Sequence, residues 1–534
     1  MKRFISVMLV LILVVAIFSG CTGKSGEQSS AATSGTTDAT AATKAPEPDY
    51  GDTGGLKLPI TDKPVTISCI VESEVADLTA LVGIQEIEKR TGIKFEMQSY
   101  PQSVIEEKRK MRLAAMDLPD LIAGIDRTQL IQLGKDGAVV PINQFTKDLP
   151  NFTKLFMEEN PWVMKSFSAD DGNLYMWPYY NIDRDVNHGF MYRKDIFDKL
   201  GIKEWTNTDE FYAALKTLKE NYPESVPWTS KTKETIFYDI SYGWGIGSAN
   251  FPMYYNENEK IWKFAGVDPA YKNELDFMKK LYNEGLLDPE FLTTTAADFQ
   301  AKLTDGRSFV TWDWIGRMSL FKELVKDNIP EYDFRYGNPI GPAGTVRSLP
   351  KVNSMGYAVR NNDKKLVTLK LLDYLSSPSG AELATIGIEG VTFEKDAAGN
   401  ITYPAFPKDK AISFNDLGNK FGVFIMGIYT RVDPRSVYFT YTPNEKEAQD
   451  KMINGNKIEI PDPILNFTGK EVESINELKV QLMKSLYEFS AKYVLDKTYG
   501  DQQWTDYQKQ AEGKGYKQLL DIYNAAQQRY DAVK

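Results

Sequence analysis

Between Val65 and Gly137 the chain alternates strand and helix signals, and no other feature narrows its fold as much. Val65-Thr66-Ile67-Ser68-Cys69-Ile70-Val71 is a β-branched run that reads as a strand. Asp77 to Arg90 then carries Leu78, Leu81, Val82 and Ile87 at helical spacing until Gly92 stops it. Ile93, Phe95 and Met97 alternate as a second strand, and Ser103-Val104-Ile105-Glu106 has the spacing of a capping box opening a helix that runs to about Met116. Asp120 to Gly124 is a third short strand, and a further helix ends near Gly137. Strands separated by helices must pair in parallel through crossovers, so the segment predicts an open α/β sheet.

The alternation breaks near Trp177 to Asn187 and then resumes. Phe190 to Tyr192 is a short strand; Asn207 with Glu210 opens a helix carrying Phe211, Leu215 and Leu218; Val226 to Trp228 is another strand. Ala270 to Glu284 is amphipathic and ends at Gly285, and Phe309 to Trp312 is strand-like. A strand returns over Met355 to Val359, followed by a helix from Asp363 to Ser376 that Pro378 terminates. From about Glu471 the tail is helical, with Tyr487, Tyr493 and Tyr507 among its apolar positions. With 534 residues the chain exceeds one core, and two α/β lobes with a helical tail are the economical description.

Composition excludes several functions. Apolar residues at 42% and charged residues at 25% are ordinary for a chain that folds in water. Lys and Arg total 63 against 73 for Asp and Glu, a net charge of −10, the opposite of the field that nucleic acid requires. The one histidine, His188, rules out a multi-histidine zinc site and leaves a single position for a histidine-dependent nucleophile.

Met1-Lys2-Arg3 followed by the apolar run Phe4 to Phe18 has the length of a signal core and is too short to span a bilayer. Its end, Phe18-Ser19-Gly20-Cys21, resembles the bacterial lipoprotein signal, in which the cysteine is acylated and becomes the mature N-terminus; Phe18 stands where that pattern has Leu. Residues 1–20 are thus the expected signal peptide. Residues 21–55 are a Thr/Ser/Ala/Gly-rich stretch with too little apolar surface to fold, the expected flexible tether. With Cys21 carrying lipid, Cys69 has no disulfide partner and reads as an inert core thiol.

Six segments in order carry a resemblance. They are Leu118-Pro119-Asp120-Leu121-Ile122-Ala123-Gly124, Asp171-Gly172-Asn173-Leu174-Tyr175-Met176-Trp177-Pro178, Gly189-Phe190-Met191-Tyr192-Arg193-Lys194-Asp195, Asp305-Gly306-Arg307-Ser308-Phe309-Val310-Thr311-Trp312, Leu375-Ser376-Ser377-Pro378-Ser379-Gly380 and Gly387-Ile388-Glu389-Gly390. Behind a lipoprotein signal, this order resembles the extracellular solute-binding lipoproteins of bacterial carbohydrate ABC importers, in the long subgroup of the maltodextrin-binding superfamily. The resemblance implies a two-lobed, periplasmic-binding-protein-like (type II) α/β fold with interlobe hinge strands and a helical C-terminal region, whose lobes close around ligand. It places lobe one at 56–180 and 352–400 and lobe two at 181–351 and 401–534, with crossings near Tyr179 to Asn187, near Leu349 to Gly356, and between about Phe393 and Arg435.

Sugar recognition needs flat apolar platforms for ring faces and planar polar groups for hydroxyls. Thr311-Trp312-Asp313-Trp314 offers both at a strand end, with Arg317 one turn further on. The resemblance implies an aromatic at this place that stacks on sugar, either Trp312 or Trp314; strand alternation is expected to send the two indoles apart, one of them into the core. Asp126 and Arg127 follow the third strand, Glu72 and Glu74 follow the first, and Trp177, Tyr179 and Tyr180 precede the proposed hinge. Trp244, in Gly243-Trp244-Gly245-Ile246-Gly247, is either exposed by its glycines or part of a turn. Asp170-Asp171-Gly172-Asn173 and Asp396-Ala397-Ala398-Gly399-Asn400 lack a glutamate at calcium-loop spacing and read as turns. No metal or cofactor is called for.

The leading expectation is a monomeric, non-catalytic binding protein, lipid-anchored at the extracellular face of the cytoplasmic membrane, that captures an oligosaccharide and delivers it to ABC permease subunits. The alternative is a surface-anchored glycoside hydrolase or polysaccharide lyase, which would need two carboxyls flanking the scissile bond. A peptide or amino-acid binder on the same fold is a third reading.

Overall fold

The computed structural model describes residues 48–533 apart from 126, 182–183, 348, 350, 398, 408–411 and 440. The expected signal peptide, Cys21 and most of the expected tether lie outside the described residues, as does Asp126. The strands used below are β1 (Val65–Glu72), β2 (Ile93–Tyr100), β3 (Leu121–Ala123), β4 (Trp177–Tyr180), β5 (His188–Arg193), β6 (Met253–Asn256), β7 (Ile261–Phe264), β8 (Val310–Trp314), β9 (Phe334–Tyr336) and β10 (Val352–Val359).

The first sheet has the order β2-β1-β3-β10-β4. β1 runs parallel to β2 and β3, as the alternation predicts, through the helices α1 (Val82–Thr91) and α2 (Gln102–Ala114). Gly92 at φ +76° ends α1; an added Cβ there would lie 2.4 Å from the Thr61 carbonyl oxygen, so the stop and the close approach both require glycine. The expected capping box at Ser103 and Glu106 is not used: α2 starts two residues earlier than that cap implies, behind Pro101, which takes the cap position with no side-chain acceptor to offer. β10 enters antiparallel between β3 and β4, so the sheet is mixed rather than wholly parallel. Cys69 is buried in this core, and burial pushes its thiol up to about 12, which makes it inert.

The second sheet, β8-β5-β9, is antiparallel. Its core joins Phe190 and Tyr192 of β5 to Trp205, Phe211 and Leu215, and extends to the tail through Leu482, Leu486 and Phe489 of the helix Gly469–Leu495 and Tyr523 of the helix Tyr516–Ala532. Alternation along β5 sends Met191 to the opposite face, where it meets Phe321, Phe334 and Met452. Asn207 caps its helix as expected, accepting from the Glu210 amide at 2.9 Å. Pro378 both ends one helix and starts the next, with Ser377 capping Pro378–Thr385.

Three segments join the bodies around these sheets, and they are hydrogen-bonded to one another where they pass. The Tyr180 amide donates to the Thr430 carbonyl (2.8 Å), the Val432 amide to the Tyr180 carbonyl (3.0 Å), and the Asn181 amide to the Lys351 carbonyl (2.6 Å). The third passage differs from the expectation. Ile425, Ile428, Tyr429 and Val432 pack in the core of the first sheet, the Glu72 amide donates to the Met426 carbonyl (3.4 Å), and the Tyr357 hydroxyl donates to the Tyr429 carbonyl (2.5 Å). The helix Phe414–Phe421 adds a satellite core around Leu417, Phe421 and Tyr403, against Val82 of α1. Most of 401–432, assigned above to lobe two, therefore lies with the first body, because its apolar side chains are buried against β1 and β10. The chain is back on the second body at the helix Pro443–Asn454, which packs behind β9.

Candidate ligand site at the end of the second sheet

Antiparallel pairing sets His188 of β5 opposite Trp314 of β8 and Phe190 opposite Trp312. His188, Trp312 and Trp314 thus share one face. The imidazole lies flat on the Trp312 indole, with centroids 5.2 Å apart and planes 20° from parallel. Trp312 is 8% exposed and Trp314 is 42% exposed, the most exposed of the nine tryptophans. One indole is core and one is not, as expected, but alternation is not the reason, since residues two apart share a face. Trp314 is the last residue of β8 and projects past the core, its ring lying over Gly316, where an added Cβ would be 2.7 Å from it.

Between the two indoles Asp313 points to the other side and is 4% exposed. One carboxylate oxygen accepts from the Trp314 amide (2.7 Å); the other accepts from Lys231 Nζ (2.7 Å) and Arg317 Nε (2.9 Å). Arg317 reaches it from the first residue of the helix Arg317–Val325, one turn on. Lys231 reaches it through register. The expected strand Val226 to Trp228 is reduced in the structure to isolated parallel bridges of Trp228, to Leu287 on one side and to Val310 on the other, and three residues beyond the second along both chains stand Lys231 and Asp313. The Thr311 hydroxyl, donating to the Thr229 carbonyl (2.8 Å), holds that register.

Two further segments complete the cluster. The turn Ser241–Trp244 and the returning segment approach so closely that a Cβ on Gly243 would lie 1.8 Å from the Ile340 carbonyl oxygen. The Ala343 amide donates to the Gly243 carbonyl (2.9 Å), and the Thr345 hydroxyl to the Tyr242 carbonyl (2.8 Å). This anchors Arg347 near Tyr242, His188 and Asp239, whose protonation its charge perturbs. Burial pushes His188 down to about 4; Asp313 opposes that shift, and Arg347, Lys231 and Arg317 reinforce it. Burial pushes Asp239 up to about 7, with a hydrogen bond from Thr232 pulling the other way and Asp313 adding to the rise. Among the described residues, His188 Nδ1 and Asp239 Oδ2 are buried without a hydrogen-bond partner.

Of the residues singled out from sequence, Trp312, Asp313, Trp314 and Arg317 come together here. Trp177, Tyr179 and Trp244 do not present faces to a ligand. Trp177 is fully buried, its indole donating to Ser376 Oγ (3.1 Å) and its ring 4.9 Å from Phe152. Tyr179 is 2% exposed between Tyr357 and Tyr429. Trp244 is 7% exposed against Phe277, because its glycines permit close backbone packing instead of exposing the ring. Arg127 donates to Asn466 and lies 5.6 Å over the Phe167 ring, tying the first body to the segment before the tail helices. Glu72 ends β1 half-buried, with Glu74 exposed beyond it. Sequence reasoning missed Lys231, Asp239 and Arg347. Extending the parallel register from Trp228 would have found Lys231; Asp239 ends the short helix Ile236–Asp239 and Arg347 sits on a loop, neither with a local signal.

Two α/β bodies joined by three crossing segments are the architecture of a type II solute-binding protein. The family model for bacterial extracellular solute-binding proteins matches residues 73–382, and the chain belongs to that family. It is similar to the fructooligosaccharide ABC transporter substrate-binding protein FusA of Streptococcus pneumoniae, 24% identical over 91% of this chain and 94% of that one. It is also similar to the polygalacturonan/rhamnogalacturonan-binding protein YtcQ of Bacillus subtilis, 25% identical over 83% and 87%. Among solved structures, alginate-binding protein AlgQ2 without calcium ion superposes with a TM-score of 0.61 at 25% identity, over 88% of this chain and 99% of that one.

Proposed function

We propose that the chain is the oligosaccharide-capturing component of an ABC importer, and that the end of the second sheet is its sugar-binding surface. The observation that carries this reading is the exposed Trp314, which ends β8 one residue past the locked Asp313–Lys231–Arg317 group: a flat apolar platform at a strand end is what the C–H face of a pyranose ring stacks on. The fructooligosaccharide of FusA and the polygalacturonan and rhamnogalacturonan of YtcQ, oligomeric and polymeric sugars, agree with it. In this reading the two bodies are lobes that close on ligand about the three crossing segments, with Glu72 offered from the first lobe; Asp126, the other acid expected to contact ligand, lies outside the described residues. Cys21 carries the lipid that holds a monomer at the extracellular face of the membrane, and the loaded protein delivers its sugar to permease subunits.

A hydrolase would need a free carboxylate next to a protonated acid. Asp239, held protonated up to about neutrality, supplies half of that pair. Asp313 does not supply the other half, because both its oxygens are already engaged by Lys231, Arg317 and the Trp314 amide. The test is a thermal-shift panel of neutral and acidic oligosaccharides on the unit Tyr50–Lys534, with product analysis of every mixture. A raised midpoint with intact sugar is expected, since ligand held only by the native state stabilises it by mass action. A shortened sugar would move the assignment to catalysis.

A further inference from the structure

The charges that act on the His188 ring are three cations, Arg347, Lys231 and Arg317, and one carboxylate, Asp313. Asp313 serves Lys231 and Arg317 at 2.7 and 2.9 Å. Arg347 has no such close partner: among the described residues its half-buried side chain makes no ion pair and no hydrogen bond, and the carboxylate whose field it meets is the buried Asp239. This is a cation-rich spot on a chain whose acidic residues outnumber its basic ones by 73 to 63, so neutralising partners were plentiful. A partly desolvated guanidinium is costly to leave unmatched, and its planar fork fits a carboxylate in two parallel hydrogen bonds. The exposed Trp314 stands opposite His188 in register, the ring on which the charge of Arg347 acts. Behind them Asp239, 7% exposed, keeps one oxygen without a partner.

Resting on the sugar-binding reading above, we infer that the site takes an anionic saccharide: a uronate ring stacks on Trp314 and its carboxylate is received by Arg347. The ring supplies the apolar C–H face and the hydroxyls, and the acid supplies the hydrogen-bonded carboxylate that Arg347 lacks among the described residues. A single unmatched cation suits a monoanionic carboxylate better than a phosphate dianion, which would call for a second one. Lys231 and Arg317, already balanced by Asp313, add a positive field that favours encounter with an acidic chain.

The experiment is calorimetric titration of Tyr50–Lys534 with trigalacturonate, its fully methyl-esterified form, oligomannuronate and neutral galactan and fructan trisaccharides. A free acid is expected to bind about 10- to 100-fold more tightly than its uncharged counterpart, the range for a hydrogen-bonded charge pair. Arg347→Gln should abolish that preference and leave the weaker binding of the ester in place. Arg347→Lys, which keeps the charge and loses the fork, should restore only part of it. Thermal midpoints of both variants establish that they fold. Equal or tighter binding of the ester, or a preference that survives Arg347→Gln, overturns the inference. Binding of neutral sugars with neither acid bound overturns it alone and leaves the sugar-binding reading standing; binding of no saccharide at all overturns both.

Discussion

His188 lies flat against Trp312, with ring centroids 5.2 Å apart, and is held there neutral by burial and by three nearby cations. Because this is the only histidine in the chain, its ring Hε1 proton gives a single imidazole signal in a proton spectrum. That signal is expected to stay put from pH 8 to pH 5 and to titrate only near 4. A midpoint near 6.5 would show that the ring is solvated and the stack absent.

The buried acids predict an opposite dependence of stability on pH. Asp239 is raised to about 7 and Glu459 to about 8, both chiefly by burial, so the folded chain keeps protons that the unfolded chain releases above about pH 4. Their stabilising contribution is complete at low pH and is lost as pH rises through 7 and 8. His188, lowered from 6.5 to about 4, works the other way between those values. The thermal midpoint should therefore fall from pH 6 to pH 8. Asp239→Asn should reduce that fall by about 1.4 kcal/mol, because a group titrating near 7 expresses about one pKa unit of its shift between pH 6 and pH 8. A variant with the parental slope would refute the assignment.

Trp314 and Trp177 separate binding from packing. Trp314→Ala removes a 42% exposed ring and should leave the melting temperature nearly unchanged while abolishing saccharide binding measured by titration. Trp177→Ala empties a fully buried site and should cost about 3–5 kcal/mol in chemical denaturation. Equal effects of the two on stability would contradict the burial difference.

Gly316 supports the platform by having no side chain. Gly316→Ala puts a Cβ 2.7 Å from the Trp314 ring, so the indole must turn away. The expected result is weaker binding in a protein that still folds, read by titration together with the tryptophan emission maximum.

Gly243→Ala tests how Arg347 is held in place. Its Cβ would meet the Ile340 carbonyl oxygen at 1.8 Å, a backbone contact that cannot swing aside. Destabilisation of about 1–3 kcal/mol or more is expected, the scale of overpacking in a close-packed interior. Limited proteolysis should then cut within 340–347, where the parental protein resists. An unaltered digestion pattern would mean that the two segments are not packed as described.

The strands and their crossover helices were readable because β-branched runs and 3.6-residue spacing are local: β1, α1, β2 and β3 fall where periodicity puts them. β10 was found as a strand, but its antiparallel entry between β3 and β4 depends on the return from the second body, which no local pattern encodes. The site was half readable. Trp312, Asp313, Trp314 and Arg317 lie within one short stretch, whereas Lys231, Asp239 and Arg347 are brought to it by a parallel bridge and a glycine contact between distant segments. Trp177, Tyr179 and Trp244 misled because an aromatic ring has the same composition signal whether it faces a core or a ligand. Residues 401–432 misled because their apolar side chains satisfy either body equally well in sequence.

The bonding among the three crossing segments has a mechanical meaning. A single peptide connection could bend and twist in any direction. Here Tyr180, Asn181, Lys351, Thr430 and Val432 are laced side by side, so sliding one strand past another breaks backbone bonds, whereas flexing all three together breaks none. The softest coordinate left to the molecule is rotation about one axis across that ribbon, and the energy spent on closing need not pay for the search among other poses.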